Sequence, residues 1–357
     1  MDIAAIDKNL YVAKTLTETD ILWLDAAEAP FVVCGAAETA PYLRLPEAVA
    51  EATSPGVAAL GRNTAGIRLR FRTDSPYIAI HAEWDNLCQM SHMPGTGIYG
   101  FDLYAVRDGQ QRYTATLTPP SNTLDAPGAP KGYDSLRYVS GKMTDYVLNF
   151  PLYNNVDRLL IGVKEGSRFE TPAAYREELP VIFYGSSITQ GGCASRPGNC
   201  YQNFISRAMD LDYVNLGFSG SGRGEQVIVD YMADLPMLAF VSDYDHNAPD
   251  PEHLDATHYN MYTCIRAKHP GVPYIMISRP DVVYSDEGNA RRDVILNSYR
   301  KALAAGDKNV YFIDGASLFI GNEWDACTVD GVHPNDLGFY RMAQGIIPVL
   351  QQALQKF

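Results

Sequence analysis

Val181-Ile182-Phe183-Tyr184-Gly185-Ser186-Ser187-Ile188-Thr189-Gln190-Gly191 is the stretch that decides the fold. An unbroken apolar run closed by glycine reads as a strand buried on both faces. A strand that ends in Gly and then Ser presents a hydroxyl at the rim of a sheet. The same serines also suit the start of a helix, where a hydroxyl caps free backbone N–H groups. From position alone, Ser187 is a nucleophile or a cap, and Ser186 is its rival for either role.

Downstream, strand and helix patterns alternate. Strands are expected near 181–184, 212–216, 237–242, 273–278 and 309–313. Between Leu254 and Lys268, Leu254, Met261, Cys264 and Ile265 share a helical face, as do Val294, Ile295 and Tyr299 in the next helix. Asn335 to Gln355 reads as a closing helix. Such alternation implies an α/β unit with a parallel sheet covered on both faces. Ligands then bind beyond the carboxyl ends of the strands. Ser187, Gly220, Asn247, Arg279 and His333 each come after one strand, so all five are expected on one rim.

Upstream, the grammar is that of strands. Ile67-Arg68-Leu69-Arg70-Phe71-Arg72 alternates apolar and charged residues, the period of a half-exposed strand. Tyr77–Trp84, Gly100–Val106, Arg112–Leu117, Tyr146–Phe150 and Arg158–Val163 continue the pattern between turn signals. Many short strands indicate an antiparallel sandwich. The region from Pro119 to Lys131, rich in Pro, Gly and Asn, reads as a long loop. A polar boundary at Glu165 to Pro180 separates a sandwich over 1–170 from an α/β domain over 178–357.

The 357 residues carry a net charge of -13, which argues against phosphate-backbone recognition and against docking on an anionic membrane. No run approaches the roughly 20 apolar residues of a membrane span. Met1 to Lys8 has neither a basic start nor an apolar core, so no secretory signal is visible. The expected setting is cytoplasmic, although a secreted chain with its signal trimmed would read alike. Cys34, Cys88, Cys193, Cys200, Cys264 and Cys327 form no CxxC pair and read as reduced thiols. A Cys193–Cys200 disulfide is the alternative.

Far from Ser187, Asp330-Gly331-Val332-His333-Pro334 precedes the last helix. An Asp three residues before a His can hold one imidazole nitrogen and leave the other for a serine. Ser187, His333 and Asp330 together supply nucleophile, base and orienting carboxylate. Gly217-Phe218-Ser219-Gly220-Ser221-Gly222 can aim a backbone N–H at a developing oxyanion. It does not match GxGxxG, because position 225 is Glu. The amide of Asn247 can complete an oxyanion hole. Arg196, Arg223, Arg279 and Trp324 are candidates for the pocket wall, Trp324 by stacking on a sugar ring. An alternative reads Asp243, Asp245 and His246, with His253 and His258, as metal ligands for metal-assisted hydrolysis. For His253 and His258, packing at a helix surface is the simpler reading. A third possibility is a glycan-binding module without catalysis.

The blocks Gly185-Ser186-Ser187-Ile188-Thr189, Asn215-Leu216-Gly217-Phe218-Ser219-Gly220, the segment ending in Asn247, and Asp330-x-x-His333 resemble, in order, those of the SGNH (GDSL-type) hydrolases. The resemblance spans roughly 178–355. Gly100-Phe101-Asp102-Leu103-Tyr104 is similar to the GxDLY signature of the sandwich that precedes one branch of these esterases. The resemblance implies a flavodoxin-like parallel sheet behind a jelly-roll-like sandwich. It implies catalysis by Ser187, His333 and Asp330, with Ser187, Gly220 and Asn247 forming the oxyanion hole. Two departures stand out. Ser186 occupies the place of the family's usual Asp, and Asp245-His246-Asn247-Ala248 replaces its Gly-x-Asn-Asp. The expected activity is hydrolysis of O-acyl esters, of short acyl chains on a carbohydrate or small polyol, with no metal or cofactor. The expected partner is that small-molecule or carbohydrate ester, with neither nucleic acid nor membrane involved.

Overall fold

The computed structural model of the protein describes residues 6, 7, 12, 15–85, 87–120, 131–280 and 285–355. The loop expected from Pro119 to Lys131 lies mostly outside them. Strands of the first half are β1 (Ile21–Asp25), β2 (Val32–Cys34), β3 (Glu38–Thr39), β4 (Tyr42–Leu43), β5 (Arg68–Thr73), β6 (Tyr77–Glu83), β7 (Phe101–Arg107), β8 (Gln110–Leu117), β9 (Gly132–Tyr138), β10 (Thr144–Asn149), β11 (Arg158–Lys164) and β12 (Phe169–Glu170). One antiparallel sheet runs β1-β11-β6-β9; the other runs β12-β5-β10-β7-β8, with β2 also on β5. Ile78, Ile80 and Ala82 of the first sheet and Leu69, Phe71, Leu103 and Leu148 of the second share one buried core. The period-two alternation of these strands puts those side chains on facing surfaces.

One expectation for this half is overturned. Two of the three arginines on the charged face of β5 are buried, Arg68 at 1% and Arg70 at 7% exposed, and only Arg72 stays partly open. Arg68 crosses to the second half, pairing with Asp212 and lying 3.7 Å over the Tyr213 ring. Arg70 donates to the carbonyl of Ala173 and stacks on Tyr175. An alternating pattern specifies two different faces, but not that the polar one meets water.

The second half builds β13 (Val181–Gly185), β14 (Tyr213–Gly217), β15 (Ala239–Asp243), β16 (Tyr274–Ile277) and β17 (Val310–Ile313), all parallel, in the order β14-β13-β15-β16-β17. That is the flavodoxin-like order, with the chain reversing direction across the sheet at β13. Val181, Ile182, Phe183 and Tyr184 are all at most 1% exposed. Burial of such side chains contributes ~1.5–3 kcal/mol each. Phe183 and Ile182 enter different cores, one under the helices at 201–209 and 336–354, the other under those at 226–234 and 251–268. In register, Gly185 lies opposite both Gly217 and Asp243, so three strands end level.

Helical expectations fare similarly. Leu254, Met261 and Ile265 are buried on one face of the helix Pro251–Lys268, while Cys264 sits at the margin of that core. The final helix is Asp336–Leu354, with Asn335 as its cap accepting from Leu337 and Gly338 N–H. Among the described residues no helix is long and apolar enough to cross a membrane.

Candidate active site

At the end of β13 the backbone passes directly into a short helix, Ser187–Gln190. Ser186 is its cap: the Ser186 hydroxyl accepts from Ile188 N–H at 3.1 Å, and the residue is fully buried. This separates the two hydroxyls. Ser186 serves the helix, and Ser187, at the first helical position, turns outward to His333. Its own N–H lies among the first N–H groups of the helix, which have no intrahelical acceptor.

Ser187 Oγ lies 2.9 Å from His333 Nε2, and His333 Nδ1 lies 2.7 Å from Asp330 Oδ2. The other carboxylate oxygen, Oδ1, accepts the backbone N–H of His333 at 2.8 Å and of Val332 at 3.0 Å. Burial pulls the Asp330 carboxyl upward, but those two N–H groups and the imidazole outweigh it and bring it to about 2. An ionised carboxylate only accepts hydrogen bonds, so Nδ1 carries the ring proton. In the neutral ring Nε2 then holds the lone pair, and the Ser187 hydroxyl donates to it.

The loop after β14 approaches from the side. Gly217 tolerates no side chain, since a Cβ there would sit 2.2 Å from Gln190 N. Gly220 has φ +65° and faces open space. Gln190 braces this loop, its Oε1 accepting Ser219 N–H at 3.0 Å. Asn247, 9% exposed after β15, donates from Nδ2 to the Phe218 carbonyl at 2.7 Å. That bond fixes the amide plane.

The metal reading of the neighbouring segment does not survive. Among the described residues, Asp243, Asp245 and His246 form no converging ligand set. Burial, reinforced by Asp245, pushes the Asp243 carboxyl far up; burial also lifts Asp245 to about 6. Burial and the nearby arginines push His246 far down, so it is neutral. Asp243 takes a contact from Thr189 Oγ1 at 3.4 Å, and Asp245 accepts Arg279 N–H at 2.9 Å. These acids stitch strand ends together. Of the other two histidines, His258 is buried and stacks on Tyr244, whereas His253 lies at the helix start, bonded to the Arg223 carbonyl.

The pocket-wall candidates have partners of their own. Arg196 pairs with Asp102 at 2.7 Å and lies over the rings of Tyr113 and Tyr104. Arg223 braces the loop, donating to the Gly220 carbonyl at 2.9 and 3.1 Å. Arg279 stays at the end of β16, its backbone tied to Asp245. Trp324, 45% exposed, opens the turn Trp324–Cys327 just ahead of the Asp330–His333 loop. All six cysteines are free, including Cys193 and Cys200.

Sequence reading missed what the sandwich contributes. Tyr153, buried, directs its hydroxyl to the Ser187 carbonyl at 3.4 Å. His92 stands with its ring centroid 5.8 Å from that of His333. Neither carries a local sequence signal: each is a single residue in an irregular segment, brought here only by the packing of the two halves. Arg44 is another, buried and donating to the Gly217 carbonyl at 2.6 Å and the Asn215 carbonyl at 3.2 Å.

Comparison with known proteins agrees with this architecture. Residues 178–351 match the GDSL-like Lipase/Acylhydrolase family, and residues 21–169 match GxDLY, the N-terminus of Esterase_SGNH_hydro-type. A candidate GDSL-like lipase from Bacteroides ovatus is similar at 28% identity and a TM-score of 0.83, over 94% of this chain and 98% of that one. The salicylyl-acyltransferase SsfX3 of a tetracycline biosynthetic pathway shares the fold at 19% identity and a TM-score of 0.76, over 94% and 99%. So does a family two carbohydrate esterase from Cellvibrio japonicus, at 12% identity and a TM-score of 0.62, over 94% and 98%. No curated protein sequence matches the chain. With both halves matched in order, the chain belongs to the GDSL-like lipase/acylhydrolase family with a GxDLY-type N-terminus, and by that membership is a carboxylic ester hydrolase.

Proposed function

We propose that the protein hydrolyses short-chain O-acyl esters, such as acetyl esters, of carbohydrates or small polyols, with Ser187 as nucleophile, His333 as general base and acid, and Asp330 as orienting carboxylate. The observation that carries this is the unbroken chain from Asp330 Oδ2 through the imidazole to Ser187 Oγ, 2.7 and 2.9 Å long in its two links. His333 Nε2 takes the Ser187 proton as Oγ attacks the ester carbonyl. The N–H groups of Ser187 and Gly220 and the Asn247 amide hold the developing oxyanion. Asp330 stabilises the imidazolium without itself taking the proton. The imidazolium then protonates the leaving alkoxide. Water, deprotonated by the same nitrogen, releases the acid and restores the serine.

The choice of a carbohydrate ester rests on the carbohydrate esterase that shares the fold. Labelling with a serine-directed fluorophosphonate, read by peptide mass spectrometry, tests the mechanism: the adduct belongs on Ser187, and absence of labelling in active protein counts against it. Turnover of p-nitrophenyl acetate and octanoate tests chain length, and faster octanoate hydrolysis opposes a short acyl group. Release of acid without an added alcohol separates hydrolysis from acyl transfer.

A further inference from the structure

The sandwich places one group beside the candidate site that the hydrolytic chemistry leaves unused. His92, exposed in the segment ahead of the short helix Gly95–Ile98, stands next to His333. Cys193, in the turn after Ser187–Gln190, completes a triangle. One ligand atom from each of His92, Cys193 and His333 lies within 4.8 Å of the others. Cys193 is held there by its backbone: φ is +73°, in the left-handed region, and the residue is 4% exposed. The turn packs closely on the imidazole, since a Cβ on Gly192 would lie 3.4 Å from His333 Cδ2.

We propose that His92, Cys193 and His333 form an inhibitory site for zinc or a similar borderline-soft divalent cation, occupied in competition with ester hydrolysis. Two imidazoles and a thiolate are the donor types that such ions prefer over magnesium or calcium. Around a tetrahedral zinc, ligand atoms are roughly 3.5 Å apart, given Zn–N near 2.0 Å and Zn–S near 2.3 Å. The set therefore closes by about an ångström. His92, the exposed member, can supply that movement by side-chain rotation. Binding forms one Zn–S and two Zn–N bonds, the thiol proton passes to solvent, and a water fills the fourth position.

The inhibitory consequence rests on the functional reading above. If the ion takes Nε2 of His333, Ser187 loses its base; if it takes Nδ1, the link to Asp330 breaks. Either way the hydrogen-bonded chain is interrupted. Chelation restores it, so the effect is reversible, and the three ligands come from both halves of the chain.

Titration with Co²⁺ alone tests the site without relying on catalysis. A thiolate-to-cobalt charge-transfer band is expected in the wild type and in Ser187→Ala, displaced by Zn²⁺. His92→Ala weakens binding by more than the roughly tenfold that loss of an outer-shell partner costs. Cys193→Ser abolishes the band; because its backbone is strained, His92→Ala is the variant on which the result rests. No band, or a band indifferent to His92→Ala, overturns the site even if the protein is an active esterase. Initial rates on p-nitrophenyl acetate, each variant compared with and without Zn²⁺ and then EDTA, test inhibition. A wild-type rate that bound zinc leaves unchanged overturns the competition. A chain that hydrolyses no ester at all yet shows the band sinks the functional reading while leaving the site intact.

Discussion

Asp102 in the sandwich and Arg196 in the α/β half form an ion pair at 2.7 Å, with the carboxylate wholly buried and the guanidinium 21% exposed. Asp102 also accepts from Asn149 Nδ2 at 2.8 Å and from Gly198 N–H at 2.9 Å. Burial pushes this carboxyl up, and Arg196 chiefly opposes the push. The Asp of the GxDLY motif thus holds the turn after Cys193 against the sandwich. Arg196→Ala leaves a buried carboxylate unpaired and is expected to cost about 3 kcal/mol in urea unfolding. Asp102→Asn costs less, because Arg196 keeps access to water and to two tyrosine rings. Equal losses would mean that the charge pair is not what holds the turn.

The two adjacent serines separate by experiment. Ser187→Ala is expected to lower kcat by roughly 10⁶-fold with an unchanged far-ultraviolet spectrum. Ser186→Ala removes only the cap and costs about 1 kcal/mol of stability, retaining most of the activity. The reverse ranking in esterase rates would move the nucleophile to Ser186.

Asn247→Ala removes the side-chain amide and frees the Phe218 carbonyl to which it is bonded. An oxyanion donor of this kind is worth roughly 10²–10³ in kcat. KM should change little, since the oxyanion exists only beyond the ground state. A loss carried by KM alone would assign Asn247 to ground-state binding.

Asp330→Asn should lower kcat by roughly 10⁴-fold, because an amide can hold the wrong imidazole tautomer. The folded Asp330 carboxyl lies at about 2, below its unfolded value near 4. Its stabilisation is therefore complete above pH ~4 and is lost as pH falls toward 2. Acid unfolding measured by tryptophan fluorescence should begin at higher pH in wild type than in Asp330→Asn once the variant's own lower starting stability is normalised.

Asp245 shows the opposite linkage. Burial raises it to about 6 in the folded chain, so the folded state binds the extra proton between pH ~4 and 6. Stability then falls as pH rises through that window, by up to about 2–3 kcal/mol. Asp245→Asn, whose amide oxygen can still accept the Arg279 N–H, should flatten this dependence in thermal melts across the window. A slope unchanged in the variant would place the proton on another group.

The primary structure by itself settled the five strands of the parallel sheet and, in the sandwich, β5, β6, β7, β8, β10 and β11; β1, β2, β3, β4, β9 and β12 it left unread. The apolar run at 181–184 is buried on both faces because nothing in it tolerates water, and each later run in the alternation packs beside it. The order of blocks was legible too, since a parallel sheet gathers the residues after each strand on one edge. Side-chain destinations were another matter. Ser186 and Ser187 are chemically alike, and only the helix turn gives one to Ile188 N–H and the other to His333. Arg68 and Arg70 looked solvent-facing until a second half covered them, and nothing along the chain announced that Arg196 would pair with Asp102. His92 and Tyr153 reach the site through contacts between halves distant in sequence, where no local period exists to announce them. Periodicity reports which surface a residue shares with its neighbours along the chain; what that surface meets is decided by docking, because burial is a property of the partner as much as of the residue.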